Sequence, residues 1–135
     1  MDIESALRIS AAGMQAQATR LRVVAENLAN KDSTAETPGG DPYRRRTVTF
    51  ANRLDRAAGL QTVHVSRVGT APGEFPQRFD PAHPAADERG YVRTPNVNSL
   101  VEVMDMREAQ RSYSANLGVL ETTRGMLTRT IEALR

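Results

Sequence analysis

Both ends of this chain carry apolar residues in a heptad pattern, and the segment between them has no such pattern. Near the N-terminus the rhythm runs through Leu7, Ala11, Met14, Ala18, Leu21, Ala25 and Leu28, which we call the N-terminal seam. Near the C-terminus it runs through Val103, Met106, Tyr113, Leu117, Leu120, Leu127, Ile131 and Leu134, which we call the C-terminal seam. Because alternating spacings of four and three keep one narrow helix face toward a partner helix, this pattern predicts two long packing helices.

The first predicted helix runs from about Asp2 to Asn30 and the second runs to the C-terminus, and residues 1–30 and 98–135 form the terminal helical coiled-coil domain of a one-domain protein. Asp2 is a suitable N-cap for the first helix, and the second begins at Asn98 or Ser99. Ser99 and Glu102 have the spacing of a capping box, in which each side chain bonds to a free backbone N–H. The predicted fold is mainly α with a small β insert, in which the terminal helices pack as an antiparallel coiled-coil hairpin.

Residues 31–97 are predicted to form an extended, β-rich insert, and all seven prolines of the chain lie in it. Thr47–Phe50 and Val63–Ser66 alternate polar and apolar residues as short strands do, and another short strand is expected at Tyr91–Arg93. The prolines and glycines between residues 69 and 95 are too frequent for a helix in that segment.

A second apolar stripe recurs every seven residues at Ile9, Ala16 and Val23, about 200° around the first helix from the N-terminal seam. A helical hairpin alone would leave that stripe in water. The alanines of the seam also bury little area, so its contribution to stability is modest. The pattern favours a subunit whose helices are covered by other subunits, and a small monomeric hairpin is the alternative that the periodicity leaves open.

Nothing in the sequence points to catalysis or to a cofactor. The chain has no cysteine, and the two histidines, His64 and His83, lack the spacing of a metal site. No run approaches the ~20 apolar residues that span a bilayer, and no cleaved secretory signal is visible. We expect no catalytic residue, metal, cofactor or membrane insertion.

The net charge of +2 is too small to predict a nucleic-acid partner. Arg44, Arg45 and Arg46 are consecutive, and such a run is most often a solvated or salt-bridged edge. An alternative function follows from this run, a soluble helical binding module whose arginine-rich edge contacts an acidic partner.

Specific strings of the sequence resemble a known family. Ser10–Gln17 followed by Asn27–Asn30 resembles the N-terminal signature of the bacterial flagellar axial proteins. Further strings are similar to the proximal-rod proteins of the flagellar basal body over nearly the whole chain, with Ala82 a small departure where a glycine is expected. The signature residues are Asn27, Leu28, Ala29, Asn30, Tyr43, Arg44, Pro81, His83, Pro84, Gly90, Tyr91, Pro95, Asn96, Val97 and Asn98.

The resemblance implies a structural subunit of the proximal rod in the bacterial flagellum, which polymerises through its terminal helices to transmit torque across the periplasm. It implies export through the flagellar type III apparatus without a cleaved signal. The implied partners are other proximal-rod and distal-rod subunits and further copies of the chain.

Overall fold

The computed structural model describes residues 1–135 as two long helices and two small antiparallel sheets. The fold is therefore mainly α with a small β insert, as the sequence predicts. In chain order the elements are α1 (Ile3–Ala29), β1 (Arg46–Asp55), β2 (Leu60–Thr70), β3 (Gln77–Phe79), β4 (Tyr91–Arg93) and α2 (Ser99–Ala133).

Both ends of α1 are capped by their own side chains. The Asp2 carboxylate accepts a hydrogen bond of 2.7 Å from the Ser5 N–H, and hydrogen bonds from Ser5 lower the pKa of that carboxyl. At the other end, the Asn30 side-chain amide donates to the Glu26 carbonyl at 2.9 Å. The predicted first helix is confirmed, and its 27 residues span about 40 Å.

The start of α2 differs from the predicted capping box. Asn98 is the N-cap, and its side-chain oxygen accepts from the N–H groups of Leu100 and Val101 at 3.0 and 3.4 Å. Glu102 does not reach back to the cap, because its carboxylate points into the molecule and bonds to Asn27 and Arg45. The predicted capping box is wrong because the half-buried Arg45 guanidinium binds the glutamate instead.

The two long strands form a hairpin that is longer than the sequence pattern indicates. β1 and β2 pair from Arg46↔Thr70 to Asp55↔Leu60, with a β-bulge between Thr49 and Phe50. The predicted strands Thr47–Phe50 and Val63–Ser66 lie within β1 and β2. Beyond those segments every residue is exposed or only half-buried, so no buried face imposes an alternating pattern.

A second, short sheet pairs the predicted strand β4 with β3, which the sequence analysis missed. All three residues of β3 are exposed, and β3 directly follows a proline. A strand without a buried face gives no period-two signal.

The helices run antiparallel, and the hairpin lies along one side of α1. At one end Asn27 of α1 bonds to Glu102 of α2, and at the other Ile3 and Thr123 line one shallow cleft. The hairpin contacts α1 and leaves α2 uncovered. Its tip reaches the start of α1, where Arg8 bonds to Asp55 at 3.4 Å.

Replacing Asn98 with alanine removes the cap and is expected to destabilise the protein by about 1 kcal/mol. Ser99→Ala is the matched control, because Ser99 is the first helical residue and its hydroxyl makes no hydrogen bond. It should change stability by less than about 0.5 kcal/mol. Urea unfolding followed by circular dichroism measures both. A larger loss of stability in the Ser99 variant than in the Asn98 variant would favour the capping box instead.

Candidate assembly surface

The two helices meet along a line of small and polar residues. Gly13, Arg20 and Asn27 of α1 lie seven residues apart and each contacts α2. A Cβ added to Gly13 would lie 2.8 Å from the side-chain nitrogen of Asn116, which shows how closely the helices approach. Arg20 lies 3.4 Å from acidic side chains of α2. The buried members of this line are Ser10, Gly13, Val24 and Asn27 on α1, and Glu102, Ala109 and Thr123 on α2.

Within the chain, therefore, the helices do not meet along the predicted seams. On each helix the contact line runs one residue before the seam, and one residue corresponds to about 100° around a helix. Ala11, Ala18 and Ala25 of the N-terminal seam are exposed, and its leucines and methionine are only half-buried. On α2, Val103, Leu127, Ile131 and Leu134 are exposed, and the other members of the C-terminal seam are half-buried. The hydropathy pattern predicted the wrong helix faces because glycine, arginine, asparagine and glutamate residues form the contact between α1 and α2.

Both seams lie on the same side of the helical pair. In antiparallel helices, the same rotation about each helix's own N-to-C direction turns both faces toward one side. On both helices the seam is one residue after the contact line, so the two seams lie side by side on one surface. We call this surface, formed by the N-terminal and C-terminal seams, the seam face.

The insert covers the opposite side of α1. Of the second stripe, Ala16 and Val23 are only 3% and 2% exposed, and Ile9 is half-buried. A cleft of about 250 Å³ between α1 and the hairpin is lined by Ala16 and by Val63 and Val65 of β2. The expectation that this stripe stays open for other subunits is thus corrected, because the hairpin of the same chain packs on it. The seam face is the apolar side of α1 that the chain does not cover.

The total solvent-exposed area also indicates that much of the helical surface is uncovered. The chain exposes 9217 Å², and only 13 of its 135 residues are buried. A compact monomer of 14.8 kDa exposes about 7,000 Å². The chain is therefore much more open than a compact protein of its mass.

A buried polar cluster joins the helices to the start of the hairpin. Asn27 is 1% exposed, and its side-chain amide donates to the Arg46 carbonyl at 2.9 Å and to Glu102 at 3.2 Å. Its side-chain oxygen accepts from the Tyr43 hydroxyl at 2.7 Å and from the Arg46 N–H at 2.9 Å. Glu102 is 0% exposed and pairs with the Arg45 guanidinium. All four hydrogen-bonding positions of the asparagine are thus used.

The arginine run is part of the internal structure. Arg44 donates to the carbonyls of Ala71 and Gly73 at 2.9 Å and lies over the Phe75 ring. Arg45 pairs with acidic residues of α2, and Arg46 pairs with Glu26 at 2.7 Å. The salt-bridged interpretation is confirmed, and the alternative function based on an arginine-rich edge is not supported.

Signature residues near the helix ends hold this region together. Besides Asn27, Tyr43 and Arg44, Asn96 accepts a 2.7 Å bond from the Arg45 N–H, and Asn30 and Asn98 cap the helices. Pro95 is buried, Leu28 and Val97 are half-buried, and Ala29 is exposed.

The remaining signature residues shape the loop between β3 and β4. The His83 ring bonds to the Thr34 hydroxyl at 3.0 Å, and its Nδ1 accepts from the Ala85 N–H at 2.9 Å. Gly90 has φ +83°, and an added Cβ would lie 3.0 Å from the Phe79 ring and from Pro81. Tyr91 packs edge to face on Phe79. Pro84 is exposed in the same turn.

Several residues of the contact line were missed by the sequence analysis. Glu102, Arg20 and Asn116 are polar, so they stood outside every apolar pattern. One signal was available, since Gly13, Arg20 and Asn27 repeat every seven residues directly beside the N-terminal seam.

The chain has no group of three or more acidic or histidine side chains arranged to hold a metal ion. Neither helix combines the length and apolar character needed to cross a bilayer.

Comparison with known families places both helices among flagellar proteins. Residues 7–35 match the family model described as flagella basal body rod protein. Residues 88–133 match the model described as the C-terminal part of the flagellar basal body rod FlgEFG proteins. Both matches define a class, the rod proteins of the bacterial flagellum.

Curated relatives narrow the class. The chain is 50% identical over 133 residues to the flagellar basal-body rod protein FlgC of Agrobacterium fabrum, covering 98% of this chain and 96% of the relative. It is 43% identical to FlgC of Aquifex aeolicus, covering 98% of each chain, and 38% identical to FlgC of Salmonella typhimurium, covering 91% of each. The chain therefore belongs to the FlgC family, whose members are structural proteins and not enzymes.

Glycine positions test the contact line. Gly13→Ala is expected to destabilise the chain by about 1 kcal/mol, because the new methyl group displaces Asn116 and breaks its bond to Ser112. Gly118→Ala and Gly125→Ala are matched controls with open space around the added Cβ. Each control should stabilise the helix by about 0.5–1 kcal/mol. Thermal unfolding of the three variants decides the point, and a stabilising Gly13 substitution would argue against the close approach.

Ionisation of Tyr43 is expected to lower the stability of the protein at alkaline pH. Burial, and then the negative charge of Glu26, raise the pKa of the Tyr43 hydroxyl. An acid whose pKa is raised by folding contributes stability below its unfolded pKa, near 10, and loses it as pH rises through the folded value. Urea titrations from pH 8 upward should show this loss in the wild type and a smaller loss in Tyr43→Phe. Identical pH dependence in both proteins would contradict the prediction.

Proposed function

We propose that this chain is a structural subunit of the flagellar basal-body rod, in its proximal part, and that it assembles through the seam face. The observation that carries the proposal is that the apolar seams of both helices converge on one side of the pair, where every seam residue is exposed or only half-buried. The curated relatives are named flagellar basal-body rod proteins, which supports the location in the flagellum.

The exposed area is sufficient for this role. The chain exposes roughly 2,000 Å² more than a compact protein of its mass. A standard interface buries about 800 Å² on each partner. The excess therefore accommodates more than one neighbour, which an interior position in a polymer requires.

The partners in this proposal are other subunits of the proximal and distal rod and further copies of the same chain. Their apolar helix faces would pack on the seam face as coiled coils do, knob into hole. Ile9 and Val23 serve the packing of the insert within the chain, and the members of the two seams serve assembly.

The weak interface between α1 and α2 fits coupled folding and assembly. Apart from Val24, that interface buries small and polar residues, so little hydrophobic free energy holds the isolated helices together. Burial against neighbours supplies the remainder, so stability rises on incorporation. Such a chain suits passage through the flagellar type III export apparatus before assembly, without a cleaved signal.

In the assembled rod, residues 1–30 and 98–135 act as one helical packing unit, and residues 31–97 lie beside it as the insert. Torque passes across the periplasm through packed helix faces, because close-packed side chains resist deformation.

Two matched alanine substitutions test the seam face. Ala18 lies on it and Ala115 lies off it, and both are exposed helix positions in the chain. Ala18→Asp is expected to reduce incorporation into the rod more than tenfold, because an unpaired charge in an apolar contact costs several kcal/mol. Ala115→Asp carries the same change in charge and helix propensity and should be incorporated.

The measurement is the amount of each variant in purified hook–basal bodies, together with swimming, in a strain that lacks the native gene. Circular dichroism of the purified variants controls for folding. Full incorporation of Ala18→Asp, or equal loss of both variants, would count against the seam face as the assembly surface.

A further inference from the structure

The line between α1 and α2 carries little information about helix register. Apart from Val24, its buried members are small or polar, and Gly13 faces Asn116. Ala109 and Thr123 lie one heptad from Asn116 on either side. Sliding one helix by seven residues, about 10 Å, again places a small residue opposite Gly13. Apolar packing in this contact therefore discriminates poorly between the observed register and its neighbours.

Glu102 removes this ambiguity. Its carboxylate is 0% exposed and bonds to Asn27 of α1 and to the Arg45 guanidinium. Asn27 in turn has every hydrogen-bonding position filled. A seven-residue shift separates these partners and leaves the Glu102 carboxylate buried without its counter-charge. Loss of one partner from a buried ion pair disfavours such a state by roughly a hundredfold or more.

The counter-charge comes from the insert and not from either helix. The backbone around Arg45 is held in place by two hydrogen bonds, from its N–H to the Asn96 side chain at 2.7 Å and from the Ala71 N–H to its carbonyl at 2.8 Å. Both partners belong to the insert. The guanidinium is thus positioned by the segments that leave and re-enter the helical unit.

We propose that Asn27, Arg45 and Glu102 form a register lock, in which the base of the insert selects which turn of α2 lies against which turn of α1. The lock sets the shape of the seam face, because each helix contributes one seam and a shifted register displaces one seam along the other. The inference concerns the isolated chain, and it stands whether or not that face binds other rod subunits.

Engineered disulfides report the register directly, because the chain contains no cysteine. The pair Gly13→Cys with Asn116→Cys reports the observed register, where a Cβ at position 13 would lie 3.0 Å from the Asn116 Cγ. Gly13→Cys with Ala109→Cys and Gly13→Cys with Thr123→Cys report shifts of one heptad in either direction. Each pair is placed in the full chain and oxidised under identical conditions, and the cross-linked fraction is read on a non-reducing gel.

The variant that tests the lock is Glu102→Gln, which keeps the size of the side chain and removes its charge. The expected result is at least a tenfold rise in one shifted cross-link relative to the parent, as loss of a buried charge pair allows. Glu121→Gln is the matched control. It makes the same change on α2 at an exposed glutamate and should leave the register unchanged.

A second background, Glu102→Leu with Arg45→Met, removes both charges and should relax the register in the same way. Shifted cross-links in either background, with none in Glu121→Gln, support the lock. Exclusive formation of the observed cross-link in both backgrounds would overturn it. Loss of all three cross-links in both backgrounds would also overturn it, because the lock predicts helices that pair in the wrong register and not helices that fail to pair.

Discussion

The ion pair between Glu102 and Arg45 is the interaction on which the arrangement of the chain depends. A carboxylate without any exposed surface is tolerated only beside a counter-charge and hydrogen-bond donors, and these come from two other segments. The end of α1, the approach to β1 and the first turn of α2 are therefore positioned together. From that point the helices run antiparallel and the hairpin extends along α1.

Each side of α1 then has a different role. One side meets α2 through small and polar groups, and the next carries the hairpin on Ala16 and Val23. The third carries the N-terminal seam and continues into the C-terminal seam of α2. A helix with three apolar or close-packed sides cannot bury all of them in a small monomer, and this chain leaves the side that contains the leucines only half-buried.

The sequence predicted the elements well and their contacts less well. Both helices, parts of the two long strands and β4 followed from periodicity and, for α1, from the Asp2 cap. The phase of the helix contact did not, because hydropathy selects leucines whereas Gly13, Asn27 and Glu102 lie between the helices. Non-local polar pairing leaves no periodic trace, so the bond between Arg45 and Glu102, 57 residues apart, was beyond the sequence pattern.

The unequal lengths of the two helices make the ends of the pair chemically different. α2 has 35 residues against 27 in α1, and its final residues, after the cleft shared by Ile3 and Thr123, continue alone with Ile131 and Leu134 exposed. The opposite end carries both helices and the base of the insert. An array in which such units are stacked head to tail along the helix axis therefore has polarity. Its two tips present different surfaces, so subunit addition at one tip is distinguishable from addition at the other without any further component.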